Sequence, residues 1–248
     1  MVDCTCLENR SLGNGTVSSN LTPSAMNHRF DVSPKEAVQM QRELKSLVQL
    51  VPLTKPITHI GGCDVSMNRF AKEGFAGFIT LSTELEPVAE SVVKDTIPFP
   101  YIPGLLSFRE IPMLVKAWEK LSIKPDVLVV DGIGIAHPRR FGIASHLGVV
   151  LDIPTIGCAK SVLIGKYEEP ENEPGSFSDL VDPKTGEVIG AALRTKRNVK
   201  PVFVSPGHRI TLSEAVTFVS KCARKHRLPE PTRLAHNLVN RYRIADVS

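Results

Sequence analysis

Hydrophobic positions along the chain recur first at helical spacing and then at strand spacing. In SPKEAVQMQRELKSLV, residues 33–48, Ala37, Met40, Leu44 and Leu47 fall on one helical face. Ser33 caps that helix, Pro34 takes its first position and Glu36 completes a capping box. ITHIGGCDVSM and GFAGFITLST read as strands across a charged turn, and VAESVVKDTI extends them into an antiparallel meander. Phe108, Ile111, Leu114, Val115, Trp118 and Leu121 restore helical spacing, and DVLVVDG is the continuous apolar run of a doubly covered parallel strand. A helix from about Gly142 and a short strand, PTIGCAK, follow. Seven acids among prolines and glycines between Glu168 and Glu187 predict a surface excursion. VIGAALRT and PVFVSPG return to strand, and Thr211 with Glu214 caps another helix. Three antiparallel strands followed by alternating helices and parallel strands predict an α/β fold, a mixed five-stranded central sheet with helices on both faces.

With 248 residues and 42% hydrophobic content, the chain can bury one substantial core, so residues 31–248 are expected to form a single domain. Residues 1–30, rich in Ser, Asn, Thr and Gly without periodicity, are expected to be a flexible extension. No apolar run of about eighteen residues and no basic-then-apolar leader is visible, which predicts a protein that is not secreted and has no membrane partner. The expected compartment is the cytoplasm, or the nucleus in a eukaryote, and no obligate protein partner is indicated. Cys4, Cys6, Cys63, Cys158 and Cys222 lack paired metal-ligand spacing and read as free thiols. The net charge of +4 conceals an asymmetry, because residues 193–248 carry twelve Lys or Arg against three acids. Such a surplus suits a polyanion or a solvated helical surface.

VLVVDGIGIAHPRRFGIASH, residues 127–146, ends an apolar strand on an acid and follows it with positive charge. Asp131 closes that strand where α/β sheets place their ligands, and Asp64 sits in a strand pattern after Gly61, Gly62 and Cys63. Either acid alone also suits a cap or a turn. Glu110 either closes a capping box with Ser107 or turns toward the strand ends as a third acid. Two carboxylates about 4 Å apart repel by about 4 kcal/mol at an effective dielectric of about 20, so a converging trio needs a compensating cation. Oxygen ligands favour Mg²⁺ or Mn²⁺ over zinc, and an ion with open positions is the apparatus of phosphodiester hydrolysis. Lys160 at a neighbouring strand end, with Arg139 and Arg140 after His137, supplies donors for phosphate or rim charges. The G-x-G of DGIGIAHP fails as a dinucleotide fingerprint, since His137 replaces the third glycine and Pro138 follows, which disfavours a nicotinamide oxidoreductase. PYIPG, residues 100–104, is a rigid apolar connection that reads as a base-separating wedge or as a buried loop.

Taken together and in this order, CDVSM, PYIPGLLSFRE, VDGIGIAHPRRFGIASHLGV, IPTIGCAKS and SPGHRI closely resemble the endonuclease V family, from about Ser33 to about Asn240. The resemblance implies a ribonuclease H-like fold. It implies Mg²⁺-dependent cleavage, with Mn²⁺ substituting, at the second phosphodiester 3′ to a deaminated purine, chiefly inosine, leaving 3′-hydroxyl and 5′-phosphate ends. The implied partner is inosine-containing DNA or RNA, in DNA repair or inosine-RNA processing. Asp64, Asp131 and Glu110 match the family's metal-binding acids, Lys160 its lysine near the scissile phosphate, and His236, in PTRLAH, a position close to the metal. Tyr101, Ile102 and Pro103 match the wedge, and Gly104, Leu106 and Gly132 the base pocket. Hypoxanthine lacks the amino group of guanine at C2, so a close backbone fit there rejects guanine sterically. His137, Arg139, Arg140 and Ser161 are the expected phosphate contacts. Ile133 departs from the family, which often has His or Asn between the two glycines. A non-catalytic inosine-binding protein is the alternative reading.

Overall fold

The computed structural model describes residues 29–68 and 71–246. The elements run α1 (Pro34–Leu44), β1 (Ile60–Ser66), β2 (Glu73–Leu81), β3 (Pro87–Thr96), α2 (Leu106–Lys120), β4 (Val127–Val130), α3 (Ile143–Leu151), β5 (Thr155–Ala159), β6 (Phe177–Val181), β7 (Val188–Leu193), β8 (Val202–His208), α4 (Leu212–Cys222) and α5 (Glu230–Ala245). The predicted capping boxes start α1 and α4, where Ser33 and Thr211 exchange bonds with Glu36 and Glu214. Each satisfies two helix-end N–H groups.

One mixed sheet runs β3-β2-β1-β4-β5-β8-β7-β6. β1, β4 and β5 are parallel neighbours, and β1-β2-β3 is the antiparallel meander read from the sequence. The sheet is wider than the expected five strands. β8 pairs antiparallel with the free edge of β5, and β7 and β6 extend it further. The predicted surface excursion itself contains β6, an edge strand in which only Leu180 is buried, so its hydrophobic signal is weak.

Alternation along the strands divides two apolar layers. Cys63, Leu128 and Val130 meet Ile111 and Leu114 of α2 and Leu147 of α3 on one face, whereas Ile60, Val127 and Val129 meet Val216 and Val219 of α4 and Leu238 of α5 on the other. Each such side chain, fully buried, contributes roughly 1.5–3 kcal/mol. A satellite cluster of Ala37, Phe99, Leu105 and Phe108 docks α1 against the start of α2. Residues 1–28 of the predicted extension lie outside the described residues, while Phe30 at its end packs on Phe108 and His146. Leu47 leaves the predicted face of α1, because the helix ends at Leu44 and a 3₁₀ turn leaves Leu47 44% exposed. Gln41 is the buried residue one turn after Ala37. Cys63, Cys158 and Cys222 are buried free thiols that burial pushes well up from their ordinary values, and Cys4 and Cys6 lie outside the described residues. No described helix is long and apolar enough to cross a membrane.

Candidate active site

Cys63 of β1 pairs with Val130 of β4 in parallel register, so the residues that follow them, Asp64 within β1 and Asp131 just past β4, lie side by side. Because Cys63 and Val130 face α2, Asp64 turns to the face of α5. α5 lies close to β1 there. A Cβ on Gly62 would come 2.0 Å from the Pro231 carbonyl oxygen, so glycine is what lets the first turn of α5 lie on the strand. That contact brings His236 over Asp64, with Nδ1 2.8 Å from Oδ2, while the Val65 N–H donates to Oδ1 at 2.8 Å. One turn further along α5, Asn240 Nδ2 lies 3.0 Å from His236 Nε2. Asn240 Oδ1 accepts from Ser66 Oγ at 2.7 Å and from Arg243, which fixes the amide with its NH₂ toward the ring. The imidazole therefore carries its proton on Nδ1 and donates it to Asp64.

Glu110 comes from α2. That helix starts at Leu106 with Leu105 as its cap and no side-chain capping bond, so the Ser107–Glu110 capping box is not made. Ser107 is buried instead and pairs its hydroxyl with His146 Nδ1 at 2.9 Å. Among the described residues the Glu110 carboxylate makes no hydrogen bond or ion pair. Its pKa is pushed up to about 8, first by burial and then by the charges of Asp64 and Asp131. Burial also raises Asp64, with the Asp131 charge adding to it and the His236 hydrogen bond opposing. The three acids thus lie within electrostatic reach of one another. Lys160, just beyond β5, reaches Asp131 Oδ2 at 2.5 Å. As the side chains stand, no group of three His, Cys, Asp or Glu among the described residues is gathered as metal ligands. Asp64 and Asp131 are instead engaged by His236 and Lys160.

Beside the acids, the β3–α2 connection holds PYIPG. Phe99 and Leu105 are buried at its ends, and Arg109 Nη1 donates to the Phe99 carbonyl at 2.7 Å. Between those anchors Tyr101 is 69% exposed, which decides against a wholly buried loop. Ile102, Pro103, Gly104, Leu106 and Gly132 line a cavity of about 180 Å³, with Ile133 and His137 also in its wall. Drug-sized ligands occupy about 300–1,000 Å³, so this space suits a single planar base. The loop arginines turn inward. Arg140 pairs with Asp182 at 2.6 Å and Glu187 at 2.8 Å, and Arg139 bonds Gln41 and Gly104. His137 is buried, and Ser161 is exposed next to Lys160.

Sequence reasoning missed Gln41, Asn240 and Arg227. Gln41 and Asn240 had a signal, since each stands one helical turn from a residue already singled out, Ala37 and His236. Arg227 had none, because its bonds to the carbonyls of Lys160, Lys200 and Pro201 join loops distant in sequence.

A mixed sheet with acids side by side on neighbouring parallel strands is that of a ribonuclease H-like fold, and comparison with known proteins narrows it. The profile of the family described as Endonuclease V matches residues 42–237. The endonuclease V of Dictyoglomus turgidum is 52% identical over 204 residues, 82% of this chain and 87% of that protein. The crystal structure of endonuclease V from Streptomyces avermitilis is 40% identical, has a TM-score of 0.82 and covers 88% of this chain and 96% of that one. That of Ciona intestinalis endonuclease V, in complex with a 24mer DNA containing an inosine followed by a ribo-adenosine, is 29% identical, with a TM-score of 0.75, over 86% of this chain and 98% of that one. The chain belongs to the endonuclease V family, and so to the nucleases.

Proposed function

We propose that this protein cleaves a nucleic-acid strand at the second phosphodiester 3′ to a deaminated purine, inosine above all, leaving 3′-hydroxyl and 5′-phosphate ends. The observation that carries the reading is that Asp64 and Asp131 stand side by side on neighbouring strands, with Glu110 in electrostatic reach of both, near a small cavity and an exposed PYIP tip. The Ciona relative bound to inosine-containing DNA supports the choice of base. The donor set fits Mg²⁺, with Mn²⁺ as substitute. It is all hard oxygen, the ligand type that Mg²⁺ and Mn²⁺ prefer, and the Glu110 carboxyl, raised by burial and by the charges of Asp64 and Asp131, would be returned to its charged form by a cation beside it. Asp64, Glu110 and Asp131 would hold the ion. When bound, it supplies positive charge at the phosphate and lowers the pKa of a water.

The other roles belong to side chains. His236 orients Asp64 through Nδ1–H, and Lys160 places a cation next to Asp131 for the charge that develops on the phosphate oxygens. Ser161, exposed beside Lys160, is a phosphate contact. Tyr101, Ile102 and Pro103 fill the space left by a displaced base, and Gly104, Leu106 and Gly132 accept that base. In this reading residues 31–248 act as one catalytic domain on intracellular nucleic acid, in the cytoplasm or, in a eukaryote, the nucleus.

Asp131→Ala tests the reading. Cutting of an inosine-containing strand in Mg²⁺ is expected to vanish, as is expected also for wild type with chelator, while the thermal melt keeps its cooperativity. Near-wild-type cutting by the variant overturns the assignment. Matched inosine DNA and RNA strands at fixed salt identify the natural substrate.

A further inference from the structure

One polar knot in the wall of the cavity takes no part in the chemistry above. Gln41, 1% exposed on α1, donates through Nε2 to the Gly104 carbonyl at 3.0 Å and to the Phe141 carbonyl at 3.2 Å. Its Oε1 accepts from Arg139 Nε at 2.6 Å. Arg139 Nη2 donates to the same Gly104 oxygen at 2.8 Å, and His137 Nε2 lies 3.0 Å from it. The Arg139 backbone N–H donates to His137 Nδ1, so the ring proton sits on Nε2 and points at Gly104. Three donors thus occupy one carbonyl oxygen. Gly104 has φ +79°, and a Cβ there would come 2.9 Å from Arg139 Nη2, so a glycine is required to present that oxygen to the knot. The next N–H, of Leu105, returns to the Ile102 carbonyl at 2.9 Å and closes the PYIPG turn.

We propose that Gln41 and Arg139, with His137, are positioning residues that clamp the Gly104 carbonyl, so that α1 fixes the wedge turn and the cavity wall and, through that carbonyl, sets base selectivity. The proposal rests on the nuclease reading for its substrate. It gives Arg139 an inward role in place of the expected phosphate contact, with its Nε and Nη2 turned to Gln41 and Gly104.

Gln41→Met keeps the volume and loses the amide, Arg139→Ala removes the fork, and Arg139→Lys keeps the charge without it. Each variant is compared with wild type by amide hydrogen exchange of residues 101–106 without substrate, and by kcat and KM on inosine and guanosine strands. The salt dependence of strand binding completes the comparison. The clamp requires all three variants to speed exchange there by about tenfold, the scale of one lost buried hydrogen bond. It requires them to raise KM and cut inosine-over-guanosine preference by a similar factor, with kcat within about threefold and the salt slope unchanged. Lysine must fail to rescue. Unchanged exchange in Gln41→Met overturns the clamp. So does a salt slope that falls by about one in Arg139→Ala and returns in Arg139→Lys, the signature of a phosphate contact. If one variant does not fold, the other two carry the comparison. A wild type that cuts no inosine strand sinks the nuclease reading instead, and the exchange data still decide the clamp.

Discussion

Asn240 decides which nitrogen of His236 holds the proton, and through it how Asp64 is oriented. Asn240→Leu removes the donor opposite Nε2, and the ring then samples both tautomers. If Asp64 holds the ion as proposed, His236 stands directly behind it and Asn240 one step further. Groups directly behind a metal ligand typically carry ten- to hundred-fold in activity, so cleavage is expected to fall by about tenfold, less than in His236→Ala. The ¹⁵N shifts of the His236 ring check the cause, which is absent if they match wild type. His137 gives a residue-scale effect of another kind. Burial, aided by the charge of Arg139, lowers its pKa from 6.5 to about 4. A histidine depressed in the folded state takes up its proton more readily when unfolded, so the stability it contributes is full above pH 6.5 and is lost as pH falls toward 4. The loss is at most about 3 kcal/mol. Denaturant unfolding between pH 7 and 4 should therefore be flatter for His137→Gln than for wild type, and parallel curves refute the argument.

Elements place these residues, and the tightest placement is α5 on β1. Gly62→Ala drives a methyl group into the Pro231 carbonyl, backbone against backbone, so α5 must shift and carry His236 away from Asp64. Loss of about 2–3 kcal/mol, in the range for overpacking, and of cleavage together is expected. Denaturant titration and a cleavage assay read the two losses. A stable variant with full activity would show that the helix is free to move. At the other end of the chain Ser33→Ala removes a cap worth about 1 kcal/mol, measured as a lower denaturation midpoint.

Much of this level was legible in the sequence, because capping boxes and apolar periodicity are local. The meander, the strand that contains Asp64, the strand that ends at Asp131, and α4 all follow from such patterns. What escaped reading was non-local. β6 is a short edge strand with one buried residue, set among acids, prolines and glycines that read as a loop. Ser107 had the sequence of a capping box, yet a buried bond to His146 outcompeted the cap. Glu110 was left with two readings for the same reason. Its carboxyl joins the acids only through the packing of α2 against the sheet.

At the scale of the whole molecule, the basic surplus of residues 193–248 becomes a location. Arg227 donates to the carbonyls of Lys200 and Pro201 in the β7–β8 loop and to that of Lys160 at the site. Thr195 Oγ donates to the Arg227 carbonyl at 2.6 Å, and Lys196 Nζ reaches the Lys225 carbonyl at 3.2 Å. The β7–β8 and α4–α5 loops are therefore one tethered surface continuous with Lys160. Arg197 and Arg224 on it are paired with Glu173 and Glu86, whereas the exposed ammonium groups of Lys196, Lys200 and Lys225 make no salt bridge among the described residues. A strand seated at the acids would run its phosphates along these lysines, each contact releasing about 0.9 counterion on duplex and about 0.7 on a single strand. Lys196→Ala, Lys200→Ala and Lys225→Ala combined are then expected to reduce the slope of log K against log salt by about two to three. KM for an inosine strand should rise and kcat hold, because the groups at the cut are untouched. An unchanged slope would place the strand elsewhere and leave these charges as ordinary solvated surface.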